Sequence, residues 1–317
     1  MNFSFMKLKW ISIIGSMVFL GLSFYYTFAV HNGFNESIDF AGGIKLEIKG
    51  NQFVSVNSIR DFLTSEKIPA DVRSAGKESG KLIKIEINGI QEIRLTEAAE
   101  KSRDSLEKME FAINSVDYLR MRMIEKIGKN EKENVIIESA SHVGPTVGKY
   151  LRVSALNVLA IALGLITIYI AFRFRLNFAV GALLASLHDL FLTFGIIGVL
   201  QIPLSVPVVA ALLTILGYSI NDTIVIFDRI RENMHGNPDV AVERLVDKSI
   251  WQSMTRTINT TTTTLLAILP VYFFGGEGLL ELSQVLIIGI LIGTYSSNFV
   301  AAPIVVIWDQ FLVRKGK

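Results

Sequence analysis

The chain has 317 residues, half of them hydrophobic and 19% charged, with a formal net charge of +2. That balance is too apolar for an ordinary soluble domain and too close to neutral to indicate nucleic-acid binding. No cysteine is present, which excludes disulfides, thiolate metal sites and cysteine nucleophiles and suits an extracytoplasmic domain that avoids stray thiols.

A membrane span needs roughly 20 mostly apolar residues, and six stretches approach that requirement. The first, residues 10–30, lies behind Lys7 and Lys9. It is longer than the roughly 7–15 apolar residues of a signal peptide and no A-x-A site follows, so it reads as a retained anchor. The others are residues 151–172, 178–200, 203–227, 259–274 and 283–308. Basic residues set the orientation. Lys7 and Lys9, the turn with Arg173 and Arg175, the segment with Arg229, Arg231, Arg244, Lys248 and Arg256, and the tail Arg314-Lys315-Gly316-Lys317 share one side. The turns at 201–203 and 275–278 carry no Lys or Arg and fall opposite. Both termini are therefore expected in the cytoplasm. The expected division is a first transmembrane helix at 1–30, a periplasmic domain at 31–150, a five-helix bundle at 151–308 and a tail at 309–317.

The block between the first two spans reads as one small α+β domain. Ile44-Lys45-Leu46-Glu47-Ile48 alternates apolar and polar residues, as a half-buried strand does. Residues 57–67 predict a helix with Ile59, Phe62 and Leu63 on one face. Residues 70–73 predict a weak strand and 82–87 a strong one. A charged helix opens near Thr96 and Glu100 and runs to about residue 126, and residues 134–138 predict a last strand. The order β-α-β-β-α-β is the split βαβ, or ferredoxin-like, pattern. His31 and His142 have no partners at metal spacing and read as surface histidines; no metal or cofactor site is expected.

Polar groups inside the spans carry the functional signal. Asp222 interrupts the fourth span, where a carboxylate costs at least about 2.5–3.5 kcal/mol. Tyr218 and Ser219 precede it by four and three residues and share its helix face, while Asn221 and Thr223 flank it. Burial favours a neutral carboxyl and a nearby cation the charged form, so a change of environment would load and release a proton. Arg256, at the start of the fifth span, is the candidate counter-ion. Asn259, Thr260, Thr263 and Thr264 are expected to form a polar stripe on its face. His188-Asp189 lies mid-span and suits either a proton relay or a bond between helices. Asp228-Arg229-Ile230-Arg231 reads as an interfacial charge cluster about 9 Å further along the helix from Asp222. Gly181 with Ala185, Gly289 with Gly293, and Ser296-Ser297 are small-residue patterns that permit close helix packing.

Taken together, five motifs resemble the SecF branch of the SecD/SecF protein-translocase family. They are Asp39-Phe40-Ala41-Gly42-Gly43, Val143-Gly144-Pro145-Thr146-Val147-Gly148, Leu187-His188-Asp189, the run from Gly217 to Asn233, and Gly293-Thr294-Tyr295-Ser296-Ser297. They span nearly the whole chain in the family's order. The resemblance implies an RND-like half with six transmembrane helices that works with SecD beside the SecYEG channel in the bacterial inner membrane. It implies use of the proton motive force to promote preprotein translocation and release on the periplasmic side. It maps the family's membrane acid to Asp222 and its arginine to Arg256. Two departures are expected to leave the proton path untouched: Ala41, where the family often has Thr or Ser, and Asn298, where it is often apolar.

Other classes fit less well. A proton-driven small-solute exporter of the RND type is the main alternative, but one block of about 120 residues leaves little room for a solute pocket of roughly 300–1,000 Å³. An intramembrane aspartyl protease would pair Asp189 with Asp222, yet neither has Gly-x-Gly-Asp context. A passive scaffold leaves the intramembrane charges unexplained. Gly144-Pro145-Thr146-Val147-Gly148 lacks the spacing of a phosphate-binding loop. The expected chain is a non-enzymatic transport subunit whose partners are SecD, SecYEG, the translocating preprotein and membrane lipid.

Overall fold

A computed structural model of the chain describes residues 4–49, 56–65, 68, 70–75, 82–88, 136–237 and 239–315. The chain divides into two compact units. One comprises Met1–Asn35, Leu156–Pro203 and Pro207–Lys317; the other comprises Glu36–Ala155 and Leu204–Val206.

The first unit is helical. After a short 3-10 turn at Met6–Leu8, α1 runs over Lys9–Ala29. Helix α2 (Ile38–Ala41) and α3 (Val56–Ser65) belong to the other unit. The long helices follow: α4 (Pro145–Arg173), α5 (Leu176–Val199), α6 (Val206–Gly236), α7 (Val242–Phe274) and α8 (Glu277–Ser296). A five-residue π turn at Ser297–Ala301 joins α8 to α9 (Ala302–Lys315). Five helical stretches among the described residues are long and apolar enough to cross a membrane: Met6–Ala29, Pro145–Arg173, Leu176–Val199, Val206–Gly236 and Gly278–Phe311. The expected fifth span lies in α7, which is not among them. The five consecutive threonines Thr260 to Thr264 lower its apolar content.

Several helices are longer than the apolar runs that announced them. Pro145 opens α4, where its fixed φ and missing N–H suit the first helical position. Helix α6 continues through Asp228 and Asn233 to Gly236. The last stretch begins at Glu277, earlier than residue 283, after Gly276 (φ +72°) makes the turn from α7.

At one end of the first unit, the rings of Phe174, Phe178 and Phe227 pack with centroids 5.0–6.2 Å apart. Ala301, Ala302, Val305 and Val306, all fully buried, belong to the same core. The N-terminal segment is tied to the start of α7. Lys9 Nζ lies 2.6 Å from Glu243 Oε1, Gln310 Nε2 donates to the same oxygen at 2.9 Å, and the Met6 N–H donates to Asp247 Oδ1 at 3.0 Å.

The second unit contains an antiparallel sheet of order β2-β3-β1-β4, formed by β1 (Gly43–Lys49), β2 (Asp71–Ala75), β3 (Leu82–Asn88) and β4 (Ile136–Val143). Ile44 and Leu46 of β1 stand opposite Ile87 and Ile85 of β3. With Ile48, Ile83 and the α3 residues Ile59, Phe62 and Leu63 they form one buried cluster. The period-two pattern thus sets the register, because a one-residue slip would turn every isoleucine outward. β4 extends five residues beyond the expected end at 138. Ser139, Ala140, Ser141 and His142 pair with β1 despite having no apolar alternation. The charged helix expected at 96–126 lies outside the described residues.

The Asp39-to-Gly43 and Val143-to-Gly148 motifs fit into each other within this unit. The Asp39 N–H donates to Ser37 Oγ at 3.3 Å, and Asp39 Oδ2 accepts from the Val206 N–H at 3.0 Å. Phe40 is buried. Gly42 has φ +72°, and a Cβ there would lie 2.9 Å from Pro145 Cα; one on Gly148 would lie 2.8 Å from the Phe40 carbonyl oxygen. Arg152 pairs with Glu36 and donates to that same carbonyl at 3.3 Å.

Two outcomes follow from this packing. Gly42→Ala imposes both a positive-φ backbone penalty of roughly 1–3 kcal/mol and a clash with Pro145, and a lower thermal unfolding midpoint checks it. Separately, the hydrogen bond from Lys9, together with its charge, holds the Glu243 carboxyl below the usual carboxylate range. A depressed folded pKa stabilises the fold above the unfolded value and loses that effect as pH falls through the folded value. The melting difference between the wild-type chain and Glu243→Gln is therefore present at pH 7 and closes in acid.

Candidate functional site

Asp222 lies near the middle of the 31-residue α6 and is 5% exposed. Its carboxylate is met by two hydroxyls from other helices. Thr257 Oγ1 of α7 donates to Oδ1 at 2.8 Å, and Ser297 Oγ, at the start of the π turn, donates to Oδ2 at 3.3 Å. Ser297 Oγ also lies 3.1 Å from the Thr294 carbonyl. A serine has one hydroxyl hydrogen, so these two acceptors compete for it. The π turn breaks the regular i→i+4 ladder, as such turns often do at functional positions. The Thr294 carbonyl accepts from Asn298 Nδ2 as well, at 2.9 Å, and that amide lies 3.4 Å from Ser297 Oγ.

Close packing makes this reach feasible. A Cβ on Gly293 would lie 2.9 Å from the Ser219 Cβ, and one on Gly289 would overlap the Ile215 side chain. The glycine pair, read from sequence as a packing stripe, thus brings α8 against the face of α6 that carries Ser219 and Asp222. Thr294 Oγ1 then meets Thr261 Oγ1 of α7 at 2.9 Å, and Tyr218 OH donates to Thr261 at 3.4 Å.

A second buried carboxylate meets the same helix one turn earlier. Asp189 of α5 is fully buried, with Oδ1 3.1 Å from His188 Nδ1. Its Oδ2 accepts from Ser219 Oγ, one helical turn before Asp222. Ser219 therefore serves Asp189, where the sequence suggested Asp222. Among the described residues, His188 Nε2 is buried without a hydrogen-bond partner.

The remaining candidates separate into those inside and those outside this network. Arg256 is exposed; it lies within electrostatic reach of Asp222 but makes no ion pair with it. The contact comes from its neighbour Thr257, which is 1% exposed. The stripe follows Arg256 to the exposed side of α7 and not toward Asp222. Asn259 is exposed, Thr260 donates to the Arg256 and Thr257 carbonyls at 3.0 Å, and Thr263 and Thr264 likewise bond their own helix backbone. The buried face is instead Thr257 and Thr261, four residues apart. Asn221 is exposed. Asn298, expected to stand apart from the path, bonds to Ser297 and so touches it. Asp228 pairs with Arg173 at 3.4 Å and Arg231 at 3.1 Å, as an end-of-helix charge cluster. Asp39, Phe40, Gly42 and Gly43 belong to the second unit. Among the described residues no group of three or more histidine, aspartate or glutamate side chains could hold a metal.

The arrangement is two buried carboxylates on adjacent helices, each contacted by hydroxyls. A hydroxyl both donates and accepts, so it satisfies a carboxylate in either protonation state. Thr257→Val leaves one buried oxygen of Asp222 without its donor. A loss of about 1–3 kcal/mol is expected, measured as a lower unfolding midpoint, and Thr257→Ser should recover most of it.

Residues 123–310 match the family model described as protein export membrane protein SecD/SecF, C-terminal. The chain is 36% identical over 310 residues to the protein translocase subunit SecF of Thermodesulfovibrio yellowstonii, covering 96% of this chain and 94% of that relative. It is 37% identical over 278 residues to the protein translocase subunit SecDF of Thermus thermophilus, covering 88% of this chain and 35% of that one. The crystal structure of SecDF, a translocon-associated membrane protein from Thermus, superposes with a TM-score of 0.78 at 32% identity, over 97% of this chain and 39% of that chain. A second SecDF structure, in a super-membrane-facing form, gives 0.69 at 31% identity, over 99% and 40%. The chain thus spans about two fifths of the solved SecDF chains.

Proposed function

Because this chain belongs to the SecD/SecF family of protein-export membrane proteins, we propose that it is an auxiliary subunit of the Sec machinery that couples the proton gradient to preprotein translocation and release. The observation that carries the reading is Asp222: a buried mid-helix carboxylate held by hydroxyls, with no ion pair to fix its charge. Intramembrane acids of that kind mark ion and proton pathways.

The proton step uses the single hydrogen of Ser297. With Asp222 ionised, Ser297 donates to Oδ2. When Oδ2 takes up a proton it becomes the donor, and Ser297 turns its hydrogen to the Thr294 carbonyl 3.1 Å away. The contact between α6 and the π turn thereby reverses polarity while its atoms stay in place. Arg256 supplies the cation that favours release when it draws nearer. Each proton crossing 100 mV supplies about 2.3 kcal/mol, enough to bias a conformational equilibrium. The reading needs no catalytic step, cofactor or metal. Its relatives are named as translocase subunits, which favours protein over small solutes as cargo.

The same reading places the chain in the bacterial inner membrane with six spans and both termini in the cytoplasm. Residues 259–274 of α7 make the fifth span, with Thr261 facing α8 and Thr260, Thr263 and Thr264 bonding their own helix carbonyls. The division into residues 1–30, 31–150, 151–308 and 309–317 follows from it. The sheet order β2-β3-β1-β4, with every neighbouring pair antiparallel, supports a ferredoxin-like periplasmic domain. The SecDF relative, of which this chain covers 35%, supports SecD as the obligate partner, with SecYEG and the preprotein completing the assembly.

Asp222→Asn keeps a hydrogen-bonding side chain of similar size but carries no transferable proton. In vesicles containing the partner subunits, it should abolish the part of preprotein export that a protonophore removes, with partner binding retained. Full gradient-stimulated export by the variant would sink the proposal.

A further inference from the structure

Outside the buried network, an open cleft of about 530 Å³ is lined by Arg173, Asp228, Arg231, Glu232 and His235. It lies where α4 ends and α6 nears its end, beyond the apolar part of both helices. Two guanidiniums are fixed in it. Arg173 Cζ lies 5.1 Å, and Arg231 Cζ 5.5 Å, from the centroid of the Phe174 ring. Such cation–π contacts hold the guanidinium planes. A single carboxylate, Asp228, bridges the two through the Nη2 of each. An arginine has five N–H donors, so among the described residues most of the donor capacity of the pair is left for a ligand.

The remaining charges around the cleft offset one another. Glu232 also lines the cleft, but its carboxylate is engaged by Arg229 Nη1 at 2.6 Å. His235 bonds through Nδ1 to the Arg231 carbonyl at 2.8 Å and so holds the wall of the cleft in shape. Paired guanidiniums match the oxygens of a phosphate in both geometry and charge. The flanks identify the carrier of that phosphate. Phe172 is 89% exposed and Leu176 68% exposed, on either side of Arg173 and Phe174. A free phosphate leaves these apolar side chains unused, whereas acyl chains cover them.

We propose that this cleft binds the phosphate of an acidic membrane lipid, with Arg173 and Arg231 as the phosphate ligands and Phe172 and Leu176 against the acyl chains. Asp228 acts as an internal competitor that keeps the two arginines in position when the cleft is empty. The site is independent of the proton-coupling reading, although it lies on the helix that carries Asp222.

The test uses the full-length chain purified in detergent micelles doped with phosphatidylglycerol or phosphatidylcholine, with bound lipid counted by native mass spectrometry. Wild type retains phosphatidylglycerol in preference to phosphatidylcholine. Retention falls at least about fivefold for each arginine removed in Arg173→Gln and Arg231→Gln, the scale of one basic residue at a lipid surface. Lys248→Gln, an exposed basic position outside the cleft, changes nothing. Asp228→Asn supplies the opposite sign: removing the competitor raises phosphatidylglycerol retention, which tests the site even if the arginine variants fold poorly. Equal retention by wild type, the arginine variants and Asp228→Asn would overturn the proposal and leave the arginines as partners of the helix ends alone. Displacement of the lipid by millimolar inorganic phosphate would also overturn it, by assigning the site to the free ion.

Discussion

A carboxylate buried in the middle of a long apolar helix has to be given hydrogen bonds by something that can reach it. In the first unit that need governs the packing. Serine and threonine hydroxyls are short, so Thr257 and Ser297 reach Asp222 only if α7 and α8 lie close to α6. Gly289 and Gly293 permit that approach by presenting backbone where a side chain would collide with Ile215 or Ser219. Leaving a buried polar atom without its partner costs about 1–3 kcal/mol, and more for a charged group, which the close contacts avoid. The glycines, the threonines and the acid are thus one solution, and none of them makes sense alone.

The chemistry of the partners matters as much as their position. A guanidinium only donates, and a carboxylate tied to one is held in its charged form. Ser219, Thr257 and Ser297 impose no such choice. Asp189 and Asp222 are served by different hydroxyls but share α6 through Ser219 and Asp222 itself. A change at either acid therefore bears on the same helix. The first unit keeps its rigid elements elsewhere, in the phenylalanine cluster around Phe178 and in the ion pairs of Asp228 with the arginines at the helix ends.

The sequence made some of this legible for clear reasons. Asp222 was visible because one charge breaks a long apolar run. The isoleucines of β1 and β3 were visible because period two has no other explanation in a buried face. The face of α7 was not. Counting helical steps from Arg256 selects Asn259, Thr260, Thr263 and Thr264, while the buried line starts at Thr257 and continues at Thr261. An error of one residue rotates the face by roughly 100°, and the arginine was a misleading origin because its long side chain is exposed. Ser297 was hidden for another reason: in an apolar helix a serine reads equally as a small packing residue and as a donor. Asn298 gives no signal of its contact with Ser297, because nothing in the sequence announces a π turn. β4 ran past its expected end because Ser139 to His142 are paired by the partner strand and not by their own pattern.

The π turn has one more effect. One added residue in a helical turn shifts the phase of all that follows by roughly 100°. The final stretch long and apolar enough to cross a membrane is therefore two helices in series with different registers. Before the turn, α8 aims Gly293 and Thr294 at α6 and α7. After it, α9 aims Ala302, Val305 and Val306 into the apolar core, where Gly181 lies within 3.5 Å of Val305 by its would-be Cβ. A single straight helix could not keep both alignments. The irregular turn lets a polar reading frame and an apolar one coexist on one polypeptide, each free to change without dephasing the other.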